Sequence, residues 1–263
     1  MNLGLTNKVA LVTAASRGIG RAVAYRLADE GAQVAMSARA SERLESAAAE
    51  YKGNAAGSVR TFPLDLMDAE ATGLLVESVI KAYGRIDILV MNTPGPPIIP
   101  VMETTLQHWA EAYDQLLRPA VQLALSASRA MASQKSGSIV FITSTWVKQP
   151  APGGGLSSVM RSGISAFAKQ LAIELAASGV RINQVMPGAT VTERTTRVIE
   201  AKAKAQGTSV DEQRRRSIEQ IPLGRMADPT EIANAVVFLV SSASAFTTGA
   251  TLQVDGGAVR SVT

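Results

Sequence analysis

Two polar side chains in the stretch LSSVMRSGISAFAKQLAIEL (156–175) have the spacing of a paired site. Ser157 and Arg161 lie four residues apart in a pattern typical of an amphipathic helix, so their side chains share one face. A serine hydroxyl is a weak acid, and an arginine keeps its charge because its pKa exceeds about 12. The pair therefore favours binding of a carboxylate, a phosphate or a ribose hydroxyl over proton transfer.

The composition excludes several other kinds of site. The 263 residues include no cysteine and one histidine, His108, which excludes disulfides, thiolate catalysis and metal sites built from cysteines or several histidines. We therefore expect no metal. The net charge is +4, and the densest basic run, 214–216, is more typical of a solvated helix face than of a nucleic-acid patch, because aromatic residues make up only 4%. No nucleic-acid partner is expected.

Membrane and export signals are also missing from the pattern. The chain enters a predicted strand by about Lys8 without a basic-then-apolar signal, and no apolar run approaches the length of a bilayer span. These features predict a soluble cytoplasmic protein with no membrane partner.

A turn containing glycines, TAASRGIG (13–20), joins the first predicted strand to the first predicted helix. Gly18 and Gly20 would let backbone N–H groups and the helix amino terminus face a pyrophosphate. The first of three expected glycines is Ala14, which we expect to fit only at negative φ or in a slightly opened turn. A purely structural strand-to-helix turn is the alternative.

The end of the second predicted strand favours a phosphorylated nucleotide. Ala38 and Arg39 stand where an acid would accept a ribose 2′-hydroxyl, so that acceptor is absent. Arg39 and Arg17 could instead pair with a 2′-phosphate, which favours NADP(H) over NAD(H) as the cofactor. Alternatively, Arg39 is a surface side chain paired with Glu42 or Glu45.

These residues belong to a chain in which predicted strands and helices alternate. The strand patterns are KVALVTA, AQVAMSA, VRTFPLD, RIDILVMN, GSIVFITS, VRINQVMPG and TLQVDGG. The helical patterns between them span 18–30, 41–51, 68–83, 106–133, 156–175 and 229–240. Apolar strands with right-handed helical crossovers indicate the α/β class: one doubly wound Rossmann-type domain, residues 1–263, whose parallel sheet carries helices on both faces.

A polar segment, ERTTRVIEAKAKAQGTSVDEQRRRSIEQ (193–220), lies between a predicted strand and the last predicted helix. Ligands of open α/β sheets bind at the carboxyl edge, where this segment begins. It is therefore predicted to form a substrate lid of one or two mobile helices.

Six segments together resemble the short-chain dehydrogenase/reductase family, most of all its 3-oxoacyl-carrier-protein-reductase-like branch. They are VTAASRGIG (12–20), LDL (64–66), RIDILVMNTPG (85–95), GSIVFITS (137–144), AFAKQLAIELAASGVRINQVMPGATVT (166–192) and PLGRMADPTEIANAVVFLVSSASAFTTGATLQVDGG (222–257). The resemblance covers essentially the whole chain.

This resemblance implies a cofactor site along the sheet edge. Asp65 would contact the adenine, Asn92 would border the cofactor near the centre of the sheet, and the loop at 187–192 would lie beside the nicotinamide, with the Val191 backbone among its contacts. The full implied set is Thr13, Ser16, Arg17, Gly18, Ile19, Gly20, Arg39, Asp65, Leu66, Asn92, Pro187, Gly188, Val191 and Thr192. The prolines in NTPGPP (92–97) stiffen a loop that is usually small and supple in the family.

The residues at the catalytic positions differ from those that family members carry. Members reduce carbonyls with a tyrosine acid, a lysine four residues later, a serine that orients the carbonyl and an asparagine that holds a water. By resemblance, Ser144 stands at the serine position, Ser157 at the tyrosine, Arg161 at the lysine and Leu116 at the asparagine, and no Tyr-x-x-x-Lys occurs anywhere. Losing a positioned acid costs roughly 10²–10⁴-fold in rate.

Neighbouring residues offer other roles. Lys148 could act as an acid if it were desolvated, although an exposed loop lysine is the simpler interpretation. Tyr113 could reach the pocket or pack at a helix interface. His108 is expected to be structural or to cap a helix, and Arg118 either lines the pocket entrance or is solvated.

Three functions therefore stay open: an NADP(H)-dependent oxidoreductase with an altered proton relay, a non-redox lyase or isomerase that holds an anionic substrate with Arg161, and a silent nucleotide-binding or partner subunit. The substrate is expected to be a small molecule, anionic or linked to an acyl carrier. The resemblance implies a homotetramer or homodimer, packed through alanine-rich helix faces, although the same alanines could belong to the internal core. They are Ala120, Ala124, Ala127, Ala166 and Ala172.

Overall fold

The computed structural model describes residues 2–39, 42–53 and 57–262. Its strands are β1 (Val9–Thr13), β2 (Gln33–Ala38), β3 (Ser58–Pro63), β4 (Ile88–Met91), β5 (Gly137–Ile142), β6 (Val180–Pro187) and β7 (Thr251–Val254). Its α-helices are α1 (Gly18–Asp29), α2 (Glu42–Glu50), α3 (Ala69–Tyr83), α4 (Leu106–Ala112), α5 (Arg118–Ser133), α6 (Gly155–Leu175), α7 (Glu193–Gln206), α8 (Val210–Glu219) and α9 (Pro229–Val240). Ser41, the predicted start of the second helix, lies outside these ranges.

Within the described ranges the strands form one seven-stranded parallel sheet in the order β3-β2-β1-β4-β5-β6-β7. The order in which strands are added to the sheet reverses between β1 and β4: β2 and β3 lie on one side of β1, and β4 to β7 lie on the other. In open α/β sheets the crevice outside the carboxyl ends of two such strands is where ligands bind. The sheet therefore confirms the predicted fold class and places the ligand crevice beyond Thr13 and Met91.

Helices cover both faces because alternate strand residues point in opposite directions. In β1, Ala10 and Val12 belong to one buried cluster, which also contains residues of α1, α2 and α9. Val9 and Leu11 belong to the cluster on the other face, with residues of α3, α5 and α6. Each fully buried valine or leucine contributes about 1.5–3 kcal/mol by leaving water, so the two layers hold the strand ends in fixed positions.

The predicted helix from Leu106 to Ser133 is wrong in one respect, because it is interrupted. α4 ends at Ala112, a π-helical turn runs over Tyr113–Leu117, and α5 begins at Arg118. Pro119 has no backbone N–H and its ring crowds the preceding turn, so the regular hydrogen-bond ladder cannot pass through it. The π turn absorbs this mismatch and lies beside the sheet's carboxyl edge.

The segment 193–220 forms α7 and α8. Thr192 caps α7 by accepting a hydrogen bond from the N–H of Thr195, and Gly207 ends the helix in the left-handed conformation, with φ +63°. Ser209 caps α8 in the same manner as Thr192. A small apolar cluster that contains Ile199 packs this segment against the chain.

No helix within the described ranges is both long and apolar enough to cross a membrane. The alanines considered as packing faces divide into two groups. Ala120, Ala124, Ala127 and Ala172 are buried in the chain's own core, whereas Ala166 is exposed. For the first four, the structure favours the internal-core interpretation.

Candidate active site

The carboxyl ends of β1 and β4 are joined by a side chain. The Thr13 hydroxyl donates to the carbonyl of Asn92 at 2.6 Å and accepts from the N–H of Asn92 at 2.9 Å. Thr13 is fully buried, so both bonds are protected from water. This link fixes the glycine turn of 13–20 against the loop of 92–97.

Ala14 adopts φ +48°, so the expectation of a negative φ at this alanine is wrong, while the slightly opened turn stays a prediction. The left-handed conformation costs an alanine roughly 1–2 kcal/mol. Its neighbours hold the turn, because the N–H of Ala15 donates to the carbonyl of Ser37 at 3.0 Å. A β-carbon on Gly20 would collide with the Ala14 carbonyl, which explains why glycine is required at that position.

The amino terminus of α1 is open to an anion. Arg17 occupies the N-cap position and gives no side-chain hydrogen bond to the first turn. Gly18 has φ +53°, and a β-carbon there would lie 3.3 Å from Cγ2 of Thr192. Helix N–H groups without a side-chain cap fit the phosphate that a dinucleotide presents. Ser16 and Ile19 are half-buried beside this turn, and Ile19 packs against the core.

Basic side chains gather beside that terminus. Arg17 forms an ion pair with Glu193, and Arg43 donates to the same carboxylate at 3.2 Å. Burial alone would raise the pKa of Glu193, but the two guanidinium groups hold it below its usual value. Arg39 is exposed and lines an open cleft of about 440 Å³ with Leu64 and Asp65.

Sequence reasoning missed Arg43 and Glu193 as members of this cluster. Arg43 lies four residues after Arg39, and this closeness in sequence could have indicated it, whereas Glu193 is 150 residues away from Arg43. Only the fold brings the start of α7 to the α1 terminus.

The side of the cleft that is predicted to hold the adenine is built by the loop after β3. Asp65 is exposed, and its carboxylate accepts from the N–H of Met67 at 3.0 Å. Leu66 is buried, and its carbonyl accepts from Arg118 at 3.2 Å. Arg118 also binds the Met67 carbonyl and Asp114, so it ties α5 to this loop rather than being solvated.

The loop after β6 lies across the sheet edge from the glycine turn. Pro187 is buried, and a β-carbon on Gly188 would lie 2.7 Å from Cβ of Asp255. The N–H of Val191 donates to the carbonyl of Ala227 at 2.9 Å, so a further ligand contact would use other atoms of Val191. Thr192 packs over Gly18 and thereby brings this loop beside the predicted phosphate turn.

The predicted pair on α6 is in contact. Nε of Arg161 donates to Oγ of Ser157 at 3.2 Å, and Nη1 donates to the carbonyl of Ile142 at 2.9 Å. Both side chains are buried, with 7% exposure each. Ser144 follows the end of β5 and accepts the N–H of Trp146 at 3.2 Å, so its own proton is available to another acceptor. The three residues therefore surround the carboxyl end of β5.

Electrostatics at this end are unusual. Burial, and next the positive charge of Arg194, lower the pKa of Arg161 to about 10, so its guanidinium stays protonated at neutral pH. Arg194 is itself half-buried, and burial followed by the charge of Arg197 lowers its pKa. Among the described residues neither Arg161 nor Arg194 forms an ion pair.

The family's asparagine place is filled by an apolar core residue. Leu116 lies in the π turn and is fully buried. The π turn is an irregularity of the kind that often marks functional sites, and at position 116 it carries a leucine instead of an amide side chain.

The other side chains considered from the sequence lie away from this centre or act structurally. Lys148 is exposed on its loop, and Tyr113 is 46% exposed. His108 caps α4, as expected, because its Nδ1 accepts from the N–H of Thr105 while the Thr105 hydroxyl accepts from the N–H of His108.

The chain is similar to known reductases along nearly its whole length. The sequence model of a family described as "Enoyl-(Acyl carrier protein) reductase" matches residues 13–259. A 3-oxoacyl-[acyl-carrier-protein] reductase of Vibrio cholerae is 34% identical over 255 residues, which cover 97% of this chain and 98% of the relative.

Solved structures share the fold as well. L-sorbose reductase from Gluconobacter frateurii, complexed with NADPH and L-sorbose, superposes with a TM-score of 0.93 at 30% identity over the full length of both chains. NAD+-bound xylitol dehydrogenase gives a TM-score of 0.90 at 29% identity, covering 96% of this chain and 99% of the other. Since neighbours of the same fold hold either nicotinamide dinucleotide, the residues around the ribose must decide between the two.

Proposed function

This chain belongs to the short-chain dehydrogenase/reductase family, and from that premise we propose that it is an NADP(H)-dependent oxidoreductase acting on a carbonyl or hydroxyl substrate with an altered proton-relay site. The observation that carries the proposal is the uncapped α1 terminus with arginines gathered beside it. A pyrophosphate and a 2′-phosphate are the ligands that such a terminus and such guanidinium groups fit.

The residues proposed to hold the cofactor follow the sheet edge. Gly18 and Gly20 allow close approach of the backbone, Arg17, Arg39 and Arg43 would hold the 2′-phosphate side, and Asp65 borders the adenine cleft. The remaining contacts would come from Thr13, Ser16, Ile19, Leu66, Asn92, Pro187, Gly188, Val191 and Thr192. When bound, NADPH supplies a hydride to a carbonyl carbon.

The residues around β5 would handle the substrate oxygen. Ser144 accepts a backbone N–H, so its hydroxyl proton can be donated to a carbonyl. Ser157 accepts a hydrogen bond from the Arg161 guanidinium, which makes its own proton a better donor. We propose Ser157, or a water beside it, as the proton source; the exposed position of Lys148 gives no support to that residue. Compared with a positioned phenol, the reaction would be roughly 10²–10⁴-fold slower.

We also propose that residues 193–220 act as the substrate lid of a single domain, since Glu193 and Arg194 at the start of α7 reach the glycine turn and the loop after β4. A homotetramer or homodimer in the cytoplasm is proposed as the working form. Apolar side chains exposed near the end of α9 and on β7 support self-association: Phe238, Phe246 and Leu252.

Titration of the purified protein with NADPH and NADH, followed by fluorescence and by the thermal midpoint, tests the proposal. We expect NADPH to bind at least about 10-fold more tightly than NADH, because each charge-assisted bond to the 2′-phosphate strengthens binding. Arg17→Gln should remove most of that preference, whereas Arg129→Gln, which changes an exposed arginine on α5, should not. Absence of binding for both nucleotides would reject the proposal. If NADPH binds but is not oxidised with any of a broad panel of ketones and 3-oxoacyl compounds, the result would instead support the alternative of a catalytically silent nucleotide-binding protein.

A further inference from the structure

Arg161 is a buried cation that has no counter-charge among the residues that the structure describes. Its side chain is 7% exposed, and its hydrogen-bond partners are the neutral oxygens of Ser157 and Ile142. These two bonds use two of the five N–H groups of a guanidinium. Folded proteins rarely bury a charge unless it is paired, because desolvation costs several kcal/mol. An anion bound at this place would supply the missing partner.

Arg194 is a second, half-buried cation that also has no counter-charge among the described residues. It is the second residue of α7, and its Nη2 donates to the carbonyl of Pro96 at 2.5 Å. Its guanidinium also lies against Gly95, where a β-carbon would be 2.5 Å from Nε. The loop after β4 therefore holds this side chain with a neutral oxygen and a glycine, and no carboxylate of the described chain neutralises it.

The topology brings the two cations to one place. Strands β4 and β5 are neighbours, with Met91 opposite Phe141. The loop that holds Arg194 starts directly after Met91, and the carbonyl that holds Arg161 belongs to Ile142, directly after Phe141. One guanidinium is therefore held at the carboxyl end of β5 and the other on the loop that follows β4, and they are near enough for the charge of Arg194 to lower the pKa of Arg161.

We propose that Arg161 and Arg194 form a subsite for a carboxylate of the substrate, so that this protein acts on oxo acids or hydroxy acids; this inference rests on the function proposed above. A planar guanidinium fork matches the two oxygens of a carboxylate. Arg161 is 7% exposed, so a ligand that pairs with it must enter a confined place, which suits a flat carboxylate better than a tetrahedral phosphate. Ser144 then lies on the side where the carbonyl of such an acid would be held.

The test compares acetoacetate with methyl acetoacetate, because the two share one 3-oxo group and differ in the negative charge. Each is titrated by calorimetry with and without NADP+, since the oxidised cofactor cannot reduce a ketone and binding is measured without turnover. Inorganic phosphate serves as a third probe. We expect acetoacetate to bind at least about 10-fold more tightly than the ester, and also more tightly than phosphate.

Substitutions show which residues cause the preference for acetoacetate over its ester. Arg161→Met and Arg194→Gln should each weaken acetoacetate binding about 10- to 100-fold and leave the ester unchanged, as expected for loss of a charge-assisted bond. Arg194→Lys should restore part of the loss, because it keeps the charge without the fork. Gly95→Ala is a second route: the added methyl group meets the flexible end of Arg194, so it should displace the guanidinium and weaken binding while the fold is kept. The matched control is Arg129→Gln.

The outcomes separate this inference from the proposed function. Equal binding of acid and ester, with NADPH still bound, would overturn the carboxylate subsite alone. Preference for acetoacetate that vanishes when NADP+ is present would also overturn it, because the arginines would then serve the cofactor. Tight phosphate binding with no preference for acetoacetate would assign the site to a different anion. Arg161-dependent binding of acetoacetate in a protein that fails to bind NADPH would support the subsite and reject the redox proposal.

Discussion

Replacing Arg161 by methionine removes the buried charge and keeps most of the side-chain volume. Burial, followed by the charge of Arg194, lowers the pKa of Arg161 from its usual value to about 10, so the folded state penalises the charged form, by about 3 kcal/mol at 1.36 kcal/mol per pKa unit. The variant also loses the hydrogen bonds to Ser157 and Ile142, which contribute about 1–3 kcal/mol each when the donor is charged. These two effects are opposite in sign and similar in size. The free energy of unfolding of Arg161→Met should therefore differ from that of the native chain by no more than about 3 kcal/mol at pH 7.5.

The pH dependence gives the sharper result. A basic group whose pKa is lower in the folded state destabilises the fold by its full amount at pH values below that pKa. This destabilisation decreases as the pH rises from the pKa of the folded state towards the pKa of the unfolded state. For Arg161 this window begins near pH 10, the lowered pKa, and extends towards the usual pKa of an arginine side chain. Relative to Arg161→Met, the native chain should gain about 1 kcal/mol between pH 8 and pH 10.5.

Urea unfolding of the two proteins at several pH values measures this difference, and titrations that are common to both chains cancel in it. Arg129→Met, on the exposed side of α5, should give a flat difference over the same range. A flat difference for Arg161→Met as well would refute the reasoning. So would a loss above about 3 kcal/mol at pH 7.5, the size expected when one partner of a buried ion pair is removed.

Four further predictions concern the cofactor turn and the relay. Ala14→Gly should raise the free energy of unfolding by about 1 kcal/mol by relieving the positive φ, and a loss in urea unfolding would contradict this. Arg43→Gln should weaken NADPH roughly 10-fold without affecting NADH; equal weakening of both would place Arg43 elsewhere. Glu193→Gln should tighten NADPH a few-fold by fluorescence titration, because the carboxylate competes for Arg17 and Arg43. Ser157→Tyr combined with Arg161→Lys should raise ketone reduction by roughly 10²-fold or more in a coupled NADPH assay; no gain would mean that the rest of the site is not competent.

The fold could be predicted from the sequence because its signals are local and repeated. Apolar strands alternate with helical patterns, and the helix and strand bounds differ from the prediction by a residue or two in most elements. The interrupted helix at Tyr113–Leu117 was missed because Pro119 is compatible with the first turn of a new helix as well as with a kink. The positive φ of Ala14 was missed because local propensity opposes it and the surrounding tertiary contacts override that propensity.

The site was predictable in part. Ser157 and Arg161 are one helical turn apart, so their contact follows from spacing alone. The partners of Arg17 and Arg194 cannot be deduced from spacing. Glu193 lies 176 residues after Arg17, and the Pro96 carbonyl lies 98 residues before Arg194. Contacts at such separations depend on how the loops after different strands meet at one sheet edge, which no local pattern encodes.

The departures from the family at the catalytic end fit one another, which argues for a rebuilt site rather than a decayed one. The guanidinium of Arg161 donates to the hydroxyl of Ser157 and to the carbonyl of Ile142 at the end of β5. Leu116 fills the place of an amide and is fully buried. The proposed replacement for the relay is a positive charge at the end of β5, where Ser144 is proposed to bind the carbonyl, and such a charge orients an anionic substrate better than it moves a proton.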